Sequence, residues 1–547
     1  MNNKVINGGK SSKKKKKQGM PMNEKDARIR QHPILKFDRG KKIRFFFKGK
    51  PVEGYENETI AMALYANGIR TFSHSFKYHR PRGMFCAIGK CASCLMEVDG
   101  IPNVRTCITP IHEGADVRPQ GRDSIIAKAG YFLMNHIHMG PGFYYRHFIH
   151  PGFLYQFYIS ILEKFIGPGK YPTKVKNPPK TVKKEVETME AEIVVIGAGP
   201  AGASAAIYAA NLGAKVVLID ENRYIGGQLI KQTHKFFGSA RHYAGIRGIT
   251  IAKQFEKEVK SNKNITLMLD SKVVGIYDGN IVGVLQKNRF LRIKPKKLIV
   301  TTGAYEKTLV FENNDLPGIM GAGGIQTVMN VFGIKPGNEA LIVGAGNVGL
   351  ILAYQLLQAG VTVKGIVEAM PTVGGYFVHA AKVRRYGIPI YTRHTIVKAL
   401  GKKYVTGAVI AQLDDKWQPI PGTEKKIKCD LIGISVGLRP ANELLLQAGC
   451  EMKFVSALGG FIPLRTENNE TTVKGVYVAG DLGGVEEAST AIMEGRIAGI
   501  SAAMSLGYKA PDTEEVLEKI RKDLADLRAG PVGERIRAGI KQVLIEG

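Results

Sequence analysis

The sequence predicts an α/β protein built from two Rossmann-like dinucleotide-binding domains, the second inserted in the first, with a smaller α+β domain ahead of them. Three observations lead there. A strand, a tight glycine turn, a helix and a second strand succeed one another over residues 191–221 and again over residues 338–368. Four of the six cysteines fall between residues 86 and 107, among short strands and turns. At 547 residues the chain is too long for one ordinary core, so roughly two to four domains are expected.

Composition narrows the class. Hydrophobic residues make up 44% and charged residues 23%, the balance of a globular chain. The net charge of +31 is unevenly placed, because residues 1–50 hold 17 Lys and Arg against 3 acids. The run from Lys13 to Lys17, flanked by Ser, Asn and Gly, predicts a disordered, solubilising basic tail over residues 1–30. No base-reading motif accompanies it, so no nucleic-acid partner is expected. No apolar segment follows the basic start and no run of about eighteen apolar residues occurs, so neither a secretory signal nor a transmembrane segment is expected. Cys429 and Cys450 stand alone, which is not a disulfide framework; a reducing, cytoplasmic setting is expected, with a peripheral seat at a membrane surface as its variant.

Residues 31–121 form the first domain. The segments starting at Lys42 and Lys50 have the pattern of a hairpin, and residues 59–67 that of a short helix. The cysteines are spaced Cys86-x4-Cys91-x2-Cys94-x12-Cys107. Four soft, anionic thiolates supply two per iron to a [2Fe–2S] cluster, and this is the spacing of plant-type ferredoxins. A zinc site or buried free thiols are the other readings, but zinc ribbons present two knuckles of the C-x2-C kind. The metal ligands are therefore Cys86, Cys91, Cys94 and Cys107, on a loop where Gly83 and Gly89 permit close backbone approach. A connector over residues 122–185 follows, with eight aromatics between Phe143 and Tyr158 that fill its own packing or dock a partner.

The first glycine loop, Ile193-Val-Val-Ile-Gly-Ala-Gly-Pro-Ala-Gly, opens a domain split into residues 186–330 and 425–510. Gly197 makes the turn, Gly199 admits a pyrophosphate, and Gly202 lets helix and strand pack closely, with Pro200 and Ala201 between them. The helix N-terminus offers free N–H groups to phosphate. Asp220, or its neighbour Glu221, ends the next strand where a ribose is gripped. Two further strands end at Thr302-Gly303 and just before Asp481, both beneath the cofactor.

The second loop, Ala340-Leu-Ile-Val-Gly-Ala-Gly-Asn-Val-Gly, repeats the logic with Gly344, Gly346 and Gly349 in a domain at residues 331–424. Glu368 ends its second strand, and a carboxylate there favours the free 2′-hydroxyl of NAD over the phosphate of NADP. A structural nucleotide such as ATP, or none, is the other reading, since fold alone does not establish turnover. No cysteine lies between Cys107 and Cys429, so the redox pair of a disulfide reductase is missing. Residues 511–547 read as a helical tail.

These loops resemble the two-dinucleotide flavoprotein family that includes thioredoxin reductases and NADH oxidases. That resemblance implies FAD at the first loop and adds Gly227 and Gln228 of Gly226-Gly-Gln-Leu to its contacts. A closer likeness covers about residues 30–545. Ser75-Phe-Lys-Tyr-His-Arg-Pro-Arg-Gly resembles the N-terminal region of sarcosine oxidase α subunits. The rest, including Leu527-Arg-Ala-Gly-Pro-Val-Gly-Glu, is similar to α subunits of dye-linked proline dehydrogenases, opine oxidases and hydrogen cyanide synthase. The resemblance implies an electron-transfer subunit of a heteromeric amino- or imino-acid dehydrogenase or oxidase, with possible NADH dehydrogenase activity. It implies a β subunit carrying a second flavin and the amino-acid site. Many relatives add a C-terminal cysteine-rich domain, and this chain has no cysteine after Cys450, so a second cluster would sit on a small iron–sulfur subunit. A stand-alone NADH:acceptor oxidoreductase and a structural subunit with a non-catalytic second site are the alternatives.

Overall fold

The computed structural model describes residues 26–75, 80–120, 150–157, 186–236, 240–287 and 289–546. The basic tail up to residue 25 and almost all of the aromatic connector lie outside these. Among the described residues no helix is long and apolar enough to cross a membrane.

The first domain is a five-stranded sheet ordered Lys50–Tyr55, Lys42–Phe47, Asp116–Pro119, Leu95–Val98, Ile101–Arg105. The expected hairpin is its edge, with Phe45 opposite Val52. Helix Ile60–Ala66 is buried along its whole length, as its Ile, Met, Leu and Ala content requires. Thr59 caps it by accepting the Met62 N–H.

The second domain carries a seven-stranded sheet with a parallel centre. Strand Glu187–Ile196 lies between Val216–Ile219 and Arg289–Val300, and Val476–Val478 pairs beyond the latter. Val216–Ile219 is wholly buried, the mark of a parallel strand covered on both faces. Helices Pro200–Asn211 and Ala488–Met504 pack closely, because Gly495 and Gly499 of one leave room for the Ala201 and Ala205 backbone of the other.

The inserted domain is a five-stranded parallel sheet, Ile319–Gly321, Leu431–Ile434, Glu339–Val343, Thr362–Val367, Ile390–Tyr391, with a three-stranded antiparallel sheet beside it. The chain enters through Ala304–Glu306 and returns through Leu438–Pro440, and these two crossings pair antiparallel. The bounds 331–424 expected from sequence are therefore corrected: strands on both sides of them belong to this sheet. The apolar run Leu431–Ile434 fits any buried parallel strand, and nothing in it says which sheet it joins. Helices Thr513–Leu527 and Gly530–Ile540 make up the described C-terminal tail.

The first domain leans on the inserted one. Phe45, Leu64 and Met96 share a continuous core with Ile334, Leu350 and Leu356. Tyr65 and Arg70 both donate to the Pro336 carbonyl at 2.7 Å. At the far end of this contact a side chain on Gly324 would run into the Phe85 carbonyl oxygen. Gly324→Ala is expected to lower stability by about 1–3 kcal/mol through overpacking, read as a lower urea midpoint with an unchanged slope.

Candidate functional site

The cysteine loop is held open by unusual backbone. Ala87, Gly89 and Ala92 have φ of 54°, 77° and 59°, which turn the chain back on itself. N–H groups consequently point at sulfur: Gly89 donates to Cys107 Sγ at 3.2 Å, and Lys90 and Cys91 both donate to Cys86 Sγ at 3.3 Å. Cys86, Cys94 and Cys107 are buried and Cys91 is half-buried. Cys107 and Cys91 hold the Cys86 thiol well below its usual range by hydrogen bonding. Among the described residues no three ligating side chains converge on one ion position. A two-iron centre does not ask for that, since it spreads its thiolates two per iron. Four neighbouring sulfurs, three of them buried, and three N–H donors fit a [2Fe–2S] cluster. Cys429 and Cys450 are buried elsewhere, and burial pushes the Cys429 thiol up to about 12.

The first glycine loop has the expected form. Gly197 has φ +101°, and a side chain on Gly202 would collide with the Gly197 carbonyl. Gly199 caps the helix starting at Pro200 and accepts the Ala203 N–H at 2.9 Å, so the N–H groups of Ala201 and Gly202 are the ones left without an intrahelical partner. Asp220 is buried and bridges the loop: it accepts the Ala198 N–H at 2.6 Å and the Asn222 N–H at 2.7 Å. Glu221 points away and pairs with Lys90 of the cysteine loop at 2.6 Å. Gly226 returns to the loop through the Ala198 carbonyl, Gly227 abuts Gly199, and Gln228 is exposed on the turn that follows.

Two strand ends close the site. Thr301, one residue before the expected Thr302, ties Gly197 through its hydroxyl at 3.0 Å. Thr302 instead donates to the Ala441 carbonyl, and Gly303 accepts from the Ala441 N–H, where the crossings to the inserted domain meet. Asp481 is half-buried beside Gly480, which packs against Ala201. Burial lifts its carboxyl to about 7. The turn holding Asp481 is fixed by an ion network that sequence reasoning missed. Glu494 accepts the Gly480 N–H at 2.9 Å, and Arg465 and Arg528 bind Glu494 at 3.1 and 2.6 Å. Arg528 also binds Glu486. It belongs to the Leu527-Arg-Ala-Gly segment, and that otherwise unexplained motif was the available signal.

The second loop repeats the device. Gly344 has φ +108°, Gly346 caps the helix Asn347–Gln358, and Gly349 fits only without a side chain. Glu368 accepts the Ala345 N–H at 2.6 Å and the Met370 N–H at 2.9 Å, as Asp220 does in the first loop. Asn347 at the helix start donates to Glu487 of the first dinucleotide domain at 3.1 Å, joining the two.

Lys231 and Glu306, absent from the sequence-based site, lie between the first loop and the cysteines. Lys231 is fully buried; its Nζ donates to the Gly323 carbonyl at 3.0 Å and to Thr327 Oγ1 at 3.4 Å. Glu306 accepts the N–H groups of Gly323 at 2.5 Å and Gly324 at 3.3 Å. Burial drives the lysine down and the glutamate up in pKa, each opposed by the other's charge.

Comparison with known proteins agrees with this arrangement. A family model described as pyridine nucleotide-disulphide oxidoreductase matches residues 191–495, and one described as a 2Fe-2S iron-sulfur cluster binding domain matches residues 40–122. Sarcosine oxidase subunit alpha of Rhizobium meliloti is 29% identical over 497 residues, 87% of this chain and 47% of that protein. Hydrogen cyanide synthase subunit HcnB of Pseudomonas aeruginosa is 29% identical over 375 residues, 65% of this chain and 78% of its own. The chain thus spans about half the length of the sarcosine oxidase subunits it matches. Among solved structures, L-proline dehydrogenase from P. horikoshii shares the fold with a TM-score of 0.61, covering 89% of this chain and 79% of that one at 22% identity.

Two outcomes follow from the buried charges. Glu494→Ala leaves two guanidiniums short of a carboxylate and is expected to cost about 3–5 kcal/mol in thermal or urea unfolding. Asp481 is neutral-preferring when folded, with its pKa raised from 3.8 to about 7, so it destabilises the protein stripped of cofactor as pH rises through that window. Asp481→Asn removes this; its stability advantage over wild type should grow by on the order of 4 kcal/mol from pH 4 to 7 and then level. An advantage that stays flat with pH contradicts the assignment.

Proposed function

The chain belongs to the pyridine nucleotide-disulphide oxidoreductase family, and from that premise we propose that it is the electron-transfer α subunit of a heteromeric amino- or imino-acid dehydrogenase or oxidase. It is an FAD-dependent oxidoreductase that also carries a [2Fe–2S] domain. The observation that carries the proposal is the joining of the two cofactor regions: the Phe85 carbonyl accepts the Gly321 N–H at 3.1 Å, and Lys90 reaches Glu221 beside the first glycine loop.

In this reading Cys86, Cys91, Cys94 and Cys107 hold the cluster. Gly197, Gly199, Pro200, Ala201 and Gly202 cradle the FAD pyrophosphate on the helix N-terminus, with Gly227 and Gln228 completing the cradle. Asp220 faces the ribose, while its neighbour Glu221 is engaged by Lys90, and Thr302, Gly303 and Asp481 line the flavin end. FAD when bound supplies hydride acceptance and the change from paired to single electrons. The protein's part is to orient it, to exclude water, and to keep Asp481 available as a donor or acceptor near neutral pH. No dithiol interposes, since no cysteine lies between Cys107 and Cys429.

The second site, with Gly344, Gly346, Gly349 and Glu368, takes NAD(H). Glu368 carries a carboxylate where a 2′-phosphate would be repelled. A resident nucleotide such as ATP is the competing occupant, favoured by the Asn347–Glu487 bond that ties the mouth of the loop to the neighbouring domain. The substrate side belongs to a β subunit with a second flavin; relatives named as subunits of sarcosine oxidase and opine oxidase support a complex of several subunits. A cytoplasmic complex, peripheral to a membrane at most, fits these features.

Two experiments test this. Purified alone, the chain should not reduce a dye with sarcosine, L-proline or an opine, and should do so with its co-purifying partner; amino-acid oxidation by the isolated chain contradicts the reading. Cys91→Ser should abolish the cluster's EPR signal while FAD absorbance persists, and an undiminished signal removes Cys91 from the ligand set.

A further inference from the structure

The segment from Gly321 to Gly324 is a thin wall between the two cofactor regions. On one side Gly321 donates to the Phe85 carbonyl, and Gly324 lies so close to the Phe85 and Cys86 backbone that no side chain fits between them. On the other side Gly323 is gripped at both ends of its peptide groups, its N–H by Glu306 and its carbonyl by Lys231. Lys231 ends the turn that begins at Gly227, whose backbone abuts the first glycine loop. Its stem is buried, and among the described residues no carboxylate oxygen lies within salt-bridge distance of its Nζ. A buried ammonium with only a carbonyl and a hydroxyl for company is costly unless another negative charge lies near it. Two negative groups act on it from beyond contact distance: Glu306, which shares the Gly323 peptide groups with it, and, across the wall, the sulfur of Cys86, one of the four clustered thiolates.

We propose that Lys231 is the built-in counter-charge of the iron–sulfur site, a positioning and tuning residue that stabilises the cluster's reduced form and so raises its reduction potential. The proposal rests on the reading of the four cysteines as cluster ligands. Reduction adds one electron and one negative charge to the cluster. A fixed positive charge beside it, in surroundings of low dielectric, favours that state. Glu306 grips the same glycine with the opposite sign, so the two side chains act on the potential in opposite directions. Together they set how readily an electron crosses the glycine wall from the flavin side.

The test is an EPR-monitored potentiometric titration of the full-length protein carrying both cofactors, with dithionite as reductant and soluble mediators. Lys231→Met is expected to move the cluster's midpoint potential downward, Lys231→Arg to leave it near wild type, and Glu306→Gln to move it upward. If Lys231→Met fails to retain its cluster, Lys231→Gln replaces it, since its amide can still donate to the Gly323 carbonyl. An unchanged midpoint in a lysine variant that keeps its cluster overturns the proposal. So does a shift of the lysine and glutamate variants in the same direction, which is what loosened packing would give. Absence of a [2Fe–2S] signal in the wild-type protein would instead overturn the ligand assignment on which the proposal stands.

Discussion

Backbone meeting backbone at residues 321–324 is the contact on which the rest of this structure depends. A peptide segment made of Gly, Ala, Gly and Gly, at the edge of the inserted domain, allows the cysteine loop to approach its backbone with no side chain on Gly324 between them. Bulkier residues there would push the loops apart, and electron transfer between two cofactors depends on their separation. The glycines are also why Lys231 and Glu306 can hold the wall by its peptide groups, where side chains would otherwise intervene.

The same contact explains why the ferredoxin-like domain sits where it does. It shares its core with the inserted domain, while its cysteine loop reaches across to Glu221 of the first dinucleotide domain. The inserted domain is tied further by a buried chain of amides: Gln232 to Gln326 at 3.4 Å, Gln326 to Gln355 at 2.9 Å, and Gln355 to Thr233 at 2.8 Å. Such a chain is stable only when every link is made. Any swing of the inserted domain relative to the first must break it and must carry the ferredoxin-like domain along.

Much of this was legible in the sequence, and the reason is geometric. Cysteine spacing and glycine loops are local, so Cys86-x4-Cys91-x2-Cys94 and the two Gly-x-Gly-x-x-Gly runs display their purpose in a dozen residues. Asp220 and Glu368 were singled out by counting forward from them, and the structure shows both carboxylates binding their own loops. What could not be read is long-range. Lys231 and Glu306 look like ordinary surface charges in Leu-Ile-Lys-Gln and Ala-Tyr-Glu-Lys; only the fold buries the lysine and half-buries the glutamate beside it. The limits of the inserted domain were misplaced because Leu431–Ile434 is apolar in the manner of every buried parallel strand. The packing of the first domain on the inserted one involves residues some 270 positions apart, such as Tyr65 and Pro336, and leaves no sequence pattern.

The central claim is that the nucleotide sites and the cluster form one electron path within this chain. An anaerobic titration of the purified chain with NADH, following flavin bleaching at its visible maximum together with the cluster's EPR signal, tests it most directly. The account predicts that flavin and cluster are reduced together, without any partner subunit. A flavin that bleaches while a bound cluster stays oxidised would contradict the path across residues 321–324, and a flavin that does not respond would contradict NAD(H) at the second loop.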